Sequence, residues 1–270
     1  HRQKPSLWCG ACHPAVRSFS AMPHTSALMN VMISAARDAG KSLRRDFYDV
    51  DNVDVKRKGA ADFVSAADLR AEDILFNALN KGRPKFGFLM EERGEVDGPD
   101  NSNRWIVDPL DGTTNFLHGL PHFAISIALE RDRQPYAGVV FNPATDEIFW
   151  AEKGEGAYLN DRRLRVSGRD DLTACLFACG LPFAGKPGRK EALAEAERVL
   201  EKTAGVRRFG AAALDLAFVA AGRYDAFWER DLNSWDVAAG AILVREAGGI
   251  VTDFQGRDKM LETGEVIAGP

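Results

Sequence analysis

Short apolar runs joined by very short connections dominate the middle of the chain. They cover residues 124–130, 136–141, 147–151 and 156–159, and turn-forming pieces such as Asn142-Pro143 separate them. Strands that are linked this tightly pair with their neighbours in opposite directions, because a parallel pair needs a crossover of a dozen residues or more. The pattern therefore predicts an antiparallel meander.

Helical and extended patterns alternate in the rest of the chain. Apolar residues recur every three or four positions over 26–47 and 67–81, which predicts two amphipathic helices before the meander. Beyond the meander, predicted helices at 189–202, 211–221 and 235–247 are separated by short apolar strands. Such alternation predicts a sheet with helices on its faces.

We predict three segments along the chain. Residues 1–21 form a tail that is disordered or not native to the folded unit, and Met22 would then be the true start. Residues 22–165 form an α+β half with the antiparallel sheet, and residues 166–270 form an α/β half. Because no obvious linker separates the two halves, we expect them to form one layered unit.

The length, charge and hydropathy of the chain argue against several classes of protein. The chain has 270 residues, of which 45% are hydrophobic, and this is enough to bury a sizeable core. Its net charge of −4 argues against a general nucleic-acid binder, which usually carries a strong basic excess. No apolar run approaches the ~20 residues that span a bilayer. We therefore expect no membrane partner and a cytoplasmic location.

The strongest chemical signal lies in residues 105–116, which read Trp-Ile-Val-Asp-Pro-Leu-Asp-Gly-Thr-Thr-Asn-Phe. A strand runs into a loop that holds two carboxylates, Asp108 and Asp111. Gly112 permits a sharp turn, after which backbone N–H groups can open a helix, and a helix start suits a phosphate group. Two bare carboxylates would repel that phosphate. Mg²⁺ resolves the conflict, because it prefers oxygen ligands and is often shared with substrate phosphates.

Each acid in this region also has an ordinary structural explanation. Asp, Pro and Gly are common where a strand ends in a solvated turn. Glu91 follows the apolar run 86–90 and fits a charged loop, whereas Asp236 stands at the start of a predicted helix, where the dipole favours acids. Asp68 fits a capping box in Ser65-Ala-Ala-Asp68, with Asp in place of Glu. Spacing alone leaves both interpretations open.

Taken together, these motifs resemble the inositol monophosphatase family, which lies in the lithium-sensitive, metal-dependent phosphatase superfamily with fructose-1,6-bisphosphatase. The resemblance covers residues 26–269. It is carried by these segments: Phe63-Val-Ser-Ala-Ala-Asp68, Glu91-Glu92, Asp108-Pro-Leu-Asp-Gly-Thr-Thr-Asn-Phe116, Trp235-Asp-Val-Ala-Ala-Gly240 and Glu246-Ala-Gly-Gly249. The fold that it implies is an α+β / α/β layered sandwich, in which helix and sheet layers alternate. Ala211 departs from the family, which usually has Ser or Thr there.

The resemblance implies a magnesium centre and a set of catalytic groups. Two or three Mg²⁺ ions would be held by one backbone carbonyl and four side chains: the carbonyl of Leu110, with Glu91, Asp108, Asp111 and Asp236. Asp68 and Thr113 would orient and deprotonate the attacking water, and Glu91 would be the third catalytic residue. Most of the metal ligands therefore come from the half formed by residues 22–165.

Substrate contacts are implied in the same way. Gly112 and Thr113 would bind the phosphate through backbone N–H groups. The rest of the substrate would be bound by four residues of the second half: Gly210, Ala212, Glu229 and Asp236. The implied reaction is the magnesium-dependent hydrolysis of inositol monophosphate, a small phosphate ester, by metal-activated water. A homodimer is also implied.

Two alternatives stay open. Relatives hydrolyse other small phosphate esters, including histidinol phosphate, fructose-1,6-bisphosphate and nucleotide 3′-phosphates, although Thr114 favours the inositol branch over the nucleotide branch. A bacterial member of the family acts instead as an RNA-polymerase and ribosomal-RNA maturation factor, for which its phosphatase activity is not needed. The segment 207–217 resembles that bacterial type, so RNA polymerase is a possible partner.

Overall fold

The computed structural model describes residues 25–50, 53–59, 62–183 and 185–270, and the predicted tail at 1–21 lies outside the described residues. A helix pair, a large sheet, a second helix pair and a smaller sheet follow one another as layers. Among the residues so described, no helix has both the length and the apolar content needed to cross a membrane.

The outer helix pair consists of α1 (Ala27–Phe47) and α2 (Ala66–Gly82), which the hairpin of β1 (Val55–Gly59) and β2 (Asp62–Ser65) connects. Ser26 caps α1 by accepting a hydrogen bond of 3.0 Å from the backbone N–H three residues later. The predicted helical periodicity of both segments is confirmed, because their apolar positions form one buried face.

The large sheet has eight strands in the order β10-β9-β8-β7-β6-β5-β3-β4. From β5 onwards each strand pairs antiparallel with the next, which confirms the predicted meander. The strands are β3 (Phe86–Met90), β4 (Gly94–Val96), β5 (Asp100–Asp111), β6 (Ala124–Arg131), β7 (Gln134–Asn142), β8 (Glu147–Glu152), β9 (Gly156–Leu159) and β10 (Arg162–Arg163). A short helix, α3 (Thr113–Leu117), follows β5.

The smaller sheet has five strands in the order β12-β11-β13-β15-β14, with β11 parallel to β12 and to β13. Helices accompany it, as the alternating pattern predicts. The strands are β11 (Leu176–Cys179), β12 (Gly205–Arg207), β13 (Ala226–Glu229), β14 (Ile250–Thr252) and β15 (Val266–Gly269). The helices are α4 (Arg189–Leu200), α5 (Ala212–Ala220), α6 (Ser234–Glu246) and α7 (Met260–Thr263).

Two hydrophobic cores lie on opposite faces of the large sheet. Trp105 belongs to the core shared with α1 and α2, whereas Ile106 belongs to the core shared with α5, α6 and the smaller sheet. Adjacent residues of a strand point to opposite faces, so β5 contributes to both cores. The arrangement is the layered sandwich that the sequence predicts.

Some elements were not predicted. Strands β11 and β15 have four residues each, and their partners lie far away in the sequence. The large sheet also contains one parallel pair, β3 with β5, which a meander does not include. Since β3 and β5 run the same way, their carboxyl ends meet at one edge of the sheet.

Candidate active site

Four acidic side chains converge at the carboxyl ends of β3 and β5. The Glu91 N–H donates a hydrogen bond of 3.2 Å to the carbonyl of Val107, which places Glu91 beside the end of β5. Asp108 and Asp111 lie in the last part of β5, and Asp236 lies in the first turn of α6. The charges of the other three acids all act on Asp108, so the four side chains form one electrostatic group.

A turn at Gly112 carries the chain from β5 into α3. Gly112 has a φ of +87°, a left-handed conformation that glycine adopts without strain. A Cβ at this position would lie 3.0 Å from the carbonyl oxygen of His122 and 3.2 Å from the Cβ of Ala211. Glycine is therefore required here both by conformation and by space.

Asp68 has a structural role and also faces the site. One of its carboxylate oxygens accepts hydrogen bonds from the hydroxyl and the N–H of Ser65, which completes the capping box of α2. The other oxygen accepts a hydrogen bond of 3.1 Å from the Thr113 hydroxyl, which also lies 3.0 Å from the carbonyl oxygen of Leu110. Burial raises the pKa of Asp68, although its hydrogen bonds with Ser65 and Thr113 oppose that shift.

Asp111 and Asp236 also hold helix starts. Asp236 accepts a hydrogen bond of 2.7 Å from the N–H of Asn233 in the capping box of α6. Asp111 accepts one of 2.8 Å from the N–H of Ala213 in the first turn of α5. The N-cap residue of α5, Ala211, has no side chain that can do this, so a carboxylate from the large sheet supplies the cap.

Burial and mutual repulsion raise the pKa of the clustered acids. Burial is the largest cause in each case. The pKa of Asp108 lies well above its ordinary value, with further increases from Glu91, Asp111 and Asp236. The pKa of Asp111 rises to about 7 despite the hydrogen bonds from α5, and that of Asp236 also rises to about 7, with Asp111 as the next cause. Protons or cations are needed to offset this repulsion at neutral pH.

The donor set fits a hard divalent cation. It consists of carboxylates and the carbonyl oxygen of Leu110, which are the ligands that Mg²⁺ prefers. In the described part of the chain, no group of three or more Asp, Glu, His or Cys side chains is arranged so that it could already hold a metal ion. The fit therefore rests on the chemistry of the donors and on their repulsion. His122 packs against Phe209, and burial lowers its pKa to about 4, so its ring is neutral at pH 7 and adds no charge that could offset the repulsion.

A cleft of about 520 Å³ opens in front of this group. Eight of the predicted site residues line it: Glu91, Asp111, Gly112, Thr113, Gly210, Ala212, Glu229 and Asp236. The other three predicted site residues do not line the cleft but lie just behind the residues that do. Asp68 and the carbonyl of Leu110 contact Thr113, and Asp108 accepts a hydrogen bond of 2.8 Å from the N–H of Leu110. All the predicted site residues thus occupy one region of the molecule.

Lys186 and Arg208, which line the cleft together with Arg230, were not predicted as site residues. Lys186 forms an ion pair of 2.5 Å with Asp231, and Arg208 donates a hydrogen bond of 3.2 Å to the carbonyl of Leu181. Burial and the charge of Asp236 raise the pKa of Glu229 to about 8, and Arg208 opposes that shift. No spacing rule distinguishes these two cations from the other basic residues, although Arg208 lies in the segment 207–217.

One buried acid was also missed. Asp215 lies in α5 and is 1% exposed, and neither carboxylate oxygen has a hydrogen-bond partner among the described residues. Burial, followed by the charges of Glu229 and Asp111, raises its pKa well above the ordinary value. The sequence gives no functional signal at Asp215, because this residue stands alone among the apolar residues of α5.

Known proteins share this fold and sequence. A sequence model of the inositol monophosphatase family matches residues 24–270. The chain is 58% identical to a protein named inositol-1-monophosphatase from Mesorhizobium japonicum over 244 residues, which cover 90% of this chain and 92% of that protein. It is 46% identical over 246 residues to a protein named Nus factor SuhB from Pseudomonas aeruginosa, covering 90% of this chain and 91% of that one.

A solved structure agrees with these relatives. The crystal structure of the extragenic suppressor protein suhB from Bartonella henselae has a TM-score of 0.88 and 56% identity, and the match covers 90% of this chain and 94% of that one. Sequence and fold thus give the same assignment over almost all of the described residues. The chain belongs to the inositol monophosphatase family.

Proposed function

We propose that this protein hydrolyses inositol monophosphate to inositol and phosphate. The observation that carries the proposal is the contact between Thr113 and Asp68, 3.1 Å long, beside four clustered carboxylates and at the wall of a cleft. A proton acceptor, a metal-type donor set and a substrate-sized space therefore lie together. The 58% identity to a protein named inositol-1-monophosphatase supports the choice of substrate.

The metal ligands in this proposal are the predicted ones. Glu91, Asp108, Asp111 and Asp236, with the carbonyl of Leu110, would hold two or three Mg²⁺ ions. The chemistry supplied by such ions would be a lower pKa of the attacking water and an offset to the charge of the phosphate. The raised pKa values of three of these acids support this assignment, since bound cations would offset both causes, burial first and mutual repulsion second.

The protein's own groups move the proton and hold the substrate. The Thr113 hydroxyl takes a proton from the attacking water and passes its own proton to Asp68, whose other oxygen is held by Ser65. Backbone N–H groups of Gly112 and Thr113 bind the phosphate. The polyol lies against Gly210, Ala212, Glu229 and Asp236. Catalysis then depends mainly on positioning and charge neutralisation.

A phosphate-release assay tests the proposed substrate. The purified protein is given inositol monophosphate, histidinol phosphate, fructose-1,6-bisphosphate and a nucleotide 3′-phosphate, each with Mg²⁺ and again with excess chelator. We expect the highest kcat/KM for inositol monophosphate, and no turnover of any ester with chelator. A higher kcat/KM for another ester would reassign the substrate, and full turnover with chelator would overturn the metal mechanism.

A second function deserves a direct test, because the chain is 46% identical to a protein named Nus factor SuhB. We propose RNA polymerase as a possible partner, alongside catalysis. A pull-down with bacterial RNA polymerase, using the wild type and Asp111→Asn, measures binding independently of hydrolysis. Equal capture of both proteins would support a partner role that does not need the phosphatase. Capture of neither would remove this candidate.

Three further properties belong to the proposal. We propose a homodimer and inhibition by lithium, which the likeness to the family supports, together with a cytoplasmic location. Light scattering at defined protein concentrations tests the dimer, and fractionation of the source cells tests the location. Sustained hydrolysis at high lithium concentration would place the protein outside the inositol branch of the superfamily.

A further inference from the structure

Gly180 stands at the point where the smaller sheet meets the cleft. It directly follows β11, and its N–H donates a hydrogen bond of 3.1 Å to the carbonyl of Trp228 in β13. The next residue of β13 is Glu229, so this bond keeps the backbone of Gly180 beside the Glu229 side chain. Both residues line the cleft.

The Glu229 side chain occupies the space that a side chain at position 180 would need. A Cβ built on Gly180 would lie 1.8 Å from Cδ, 1.9 Å from Oε1 and 2.3 Å from Cγ of Glu229. Real Cβ atoms do not approach other heavy atoms this closely. Gly180 does not have a positive φ, so its backbone conformation does not demand glycine. Glycine is needed at position 180 because the Glu229 side chain leaves no space for a Cβ atom.

The same segment also holds a cation at the cleft. Arg208 donates a hydrogen bond of 3.2 Å to the carbonyl of Leu181, the residue after Gly180. Its charge acts on Glu229, because it opposes the other causes that shift the pKa of that carboxyl. Gly180 therefore leaves room for the acidic side chain of Glu229, and the backbone carbonyl of Leu181 holds the basic side chain of Arg208.

We propose that Gly180 is a specificity-determining positioning residue, which acts by leaving room for the Glu229 carboxylate at the polyol side of the cleft. This inference rests on the proposed function, since it assigns a cause to the position of Glu229. Gly180 itself touches no reacting atom. Its effect is therefore expected in substrate choice and not in the phosphate chemistry.

Replacing Gly180 by Ala tests the inference. The atoms that the new Cβ meets belong to the outer part of a flexible side chain, so Glu229 can rotate away and the fold can survive. We expect kcat/KM for inositol monophosphate to fall roughly tenfold to a hundredfold, as when a buried hydrogen bond is lost and its partner is left unsatisfied. The loss should appear mainly in KM. Phenyl phosphate has no polyol, so its kcat/KM should fall by much less.

A double-mutant cycle separates this role from general damage to the loop. The proteins are the wild type, Gly180→Ala, Glu229→Ala and the double variant, each assayed with inositol monophosphate and phenyl phosphate. In the Glu229→Ala background the added methyl group no longer meets a carboxylate, so it should have almost no further effect. Gly168→Ala is the matched control, because a Cβ there meets nothing within 4 Å and the position lies outside the cleft.

The possible outcomes are distinct. If Glu229→Ala shows the substrate-dependent loss but Gly180→Ala does not, the inference is wrong and the proposed function stands. An equal further loss in the Glu229→Ala background would also overturn it, since Gly180 would then act on another group. If Gly180→Ala fails to fold, the double variant should fold again, and its failure would contradict the inference. A wild type that cannot hydrolyse inositol monophosphate would overturn the proposed function itself.

Discussion

Asp68 illustrates how one carboxylate can serve both the fold and the site. Its two oxygens point to different partners, one to Ser65 at the start of α2 and one to Thr113 at the cleft. The capping interpretation and the catalytic interpretation of Ser65-Ala-Ala-Asp68 are therefore compatible. Asp111 and Asp236 behave alike, because each holds a helix start and also faces the cleft.

Asp111→Asn should abolish hydrolysis while the fold survives. An Asn oxygen can still accept the hydrogen bond from Ala213, so the start of α5 keeps its cap. The lost charge should weaken the metal site and raise the reaction barrier by several kcal/mol, or about a thousandfold in kcat. Steady-state kinetics and a thermal melt measure the two effects. Asp161→Asn, at an exposed turn, is the control. Near-normal kcat in a folded variant would show that Asp111 has only a structural role and does not serve the reaction.

The acids that lie together at the cleft were easier to single out from the sequence than the other residues that line it. Carboxylates before a Pro or a Gly at a strand end form a recognisable pattern, as in Asp108 and Asp111. Gly180 and Arg208 form no such pattern, because their positions depend on β11 lying beside β13 and beside β12. Contacts between segments about 50 residues apart are set by tertiary packing, which local spacing does not encode.

At the scale of elements, helices were predicted more reliably than short strands. The periodicity of α1 extends over 21 residues, and its predicted and observed ends differ by one position. A strand of four residues such as β15 offers only two positions on each face, too few for a period. Its assignment depends on pairing with β13 and β14.

Asp225 ties β11 to the start of β13 in a pH-dependent way. Its carboxylate accepts hydrogen bonds of 2.7 Å from the N–H of Leu176 and 3.0 Å from Arg169. Burial raises the pKa of Asp225, but these two hydrogen bonds and one from Ser167 together lower it by more. The pKa of Asp225 therefore lies below its ordinary value. A depressed pKa stabilises the fold above the unfolded pKa of about 3.9, and this contribution is lost as the pH falls through the folded value.

Asp225→Asn should therefore destabilise the protein most at neutral pH. We expect the free energy of unfolding to fall by roughly 1–3 kcal/mol at pH 7, because Asn keeps an acceptor for Leu176 but loses the charge that pairs with Arg169. The difference between variant and wild type should shrink as the pH falls below about 4. Urea unfolding at several pH values measures it. A difference that does not change between pH 7 and pH 3 would contradict this role of the charge.

Close packing between α5 and α6 depends on Gly240. A Cβ there would lie 2.4 Å from the Cβ of Leu216, which cannot rotate away. Gly240→Ala gains about 0.5–1 kcal/mol from helix propensity, whereas overpacking costs typically 1–3 kcal/mol. We expect a net loss of stability, measured by urea unfolding. Ala194→Gly, at an exposed site of α4, measures the propensity effect alone. A stabilised Gly240→Ala variant would show that the helices can separate without penalty.

At the scale of the whole molecule, the site lies where the layers meet. Its acids come from the large sheet and from α6, and α6 also contacts the large sheet at its other end. There Glu246 accepts hydrogen bonds of 3.0 Å from the N–H of Gly154, in the turn between β8 and β9, and of 2.9 Å from the N–H of Gly156, the first residue of β9. The sequence predicted that helix and sheet layers alternate. The strand order, with β3 beyond β5, needed the tertiary structure.

Metal binding should consequently stabilise the whole fold. In the proposed site, Mg²⁺ would be held between the large sheet and α6 and would bind only the folded protein, so a hundredfold excess over Kd would add about 2.7 kcal/mol to the free energy of unfolding. For a domain of this size, such a gain raises Tm by roughly 5 °C. Thermal melts with Mg²⁺, with chelator and with NaCl at matched ionic strength measure the effect. Asp161→Asn should behave as the wild type, whereas Asp111→Asn should lose most of the rise. An equal rise in Asp111→Asn, or none in the wild type, would mean that these carboxylates do not form a magnesium site.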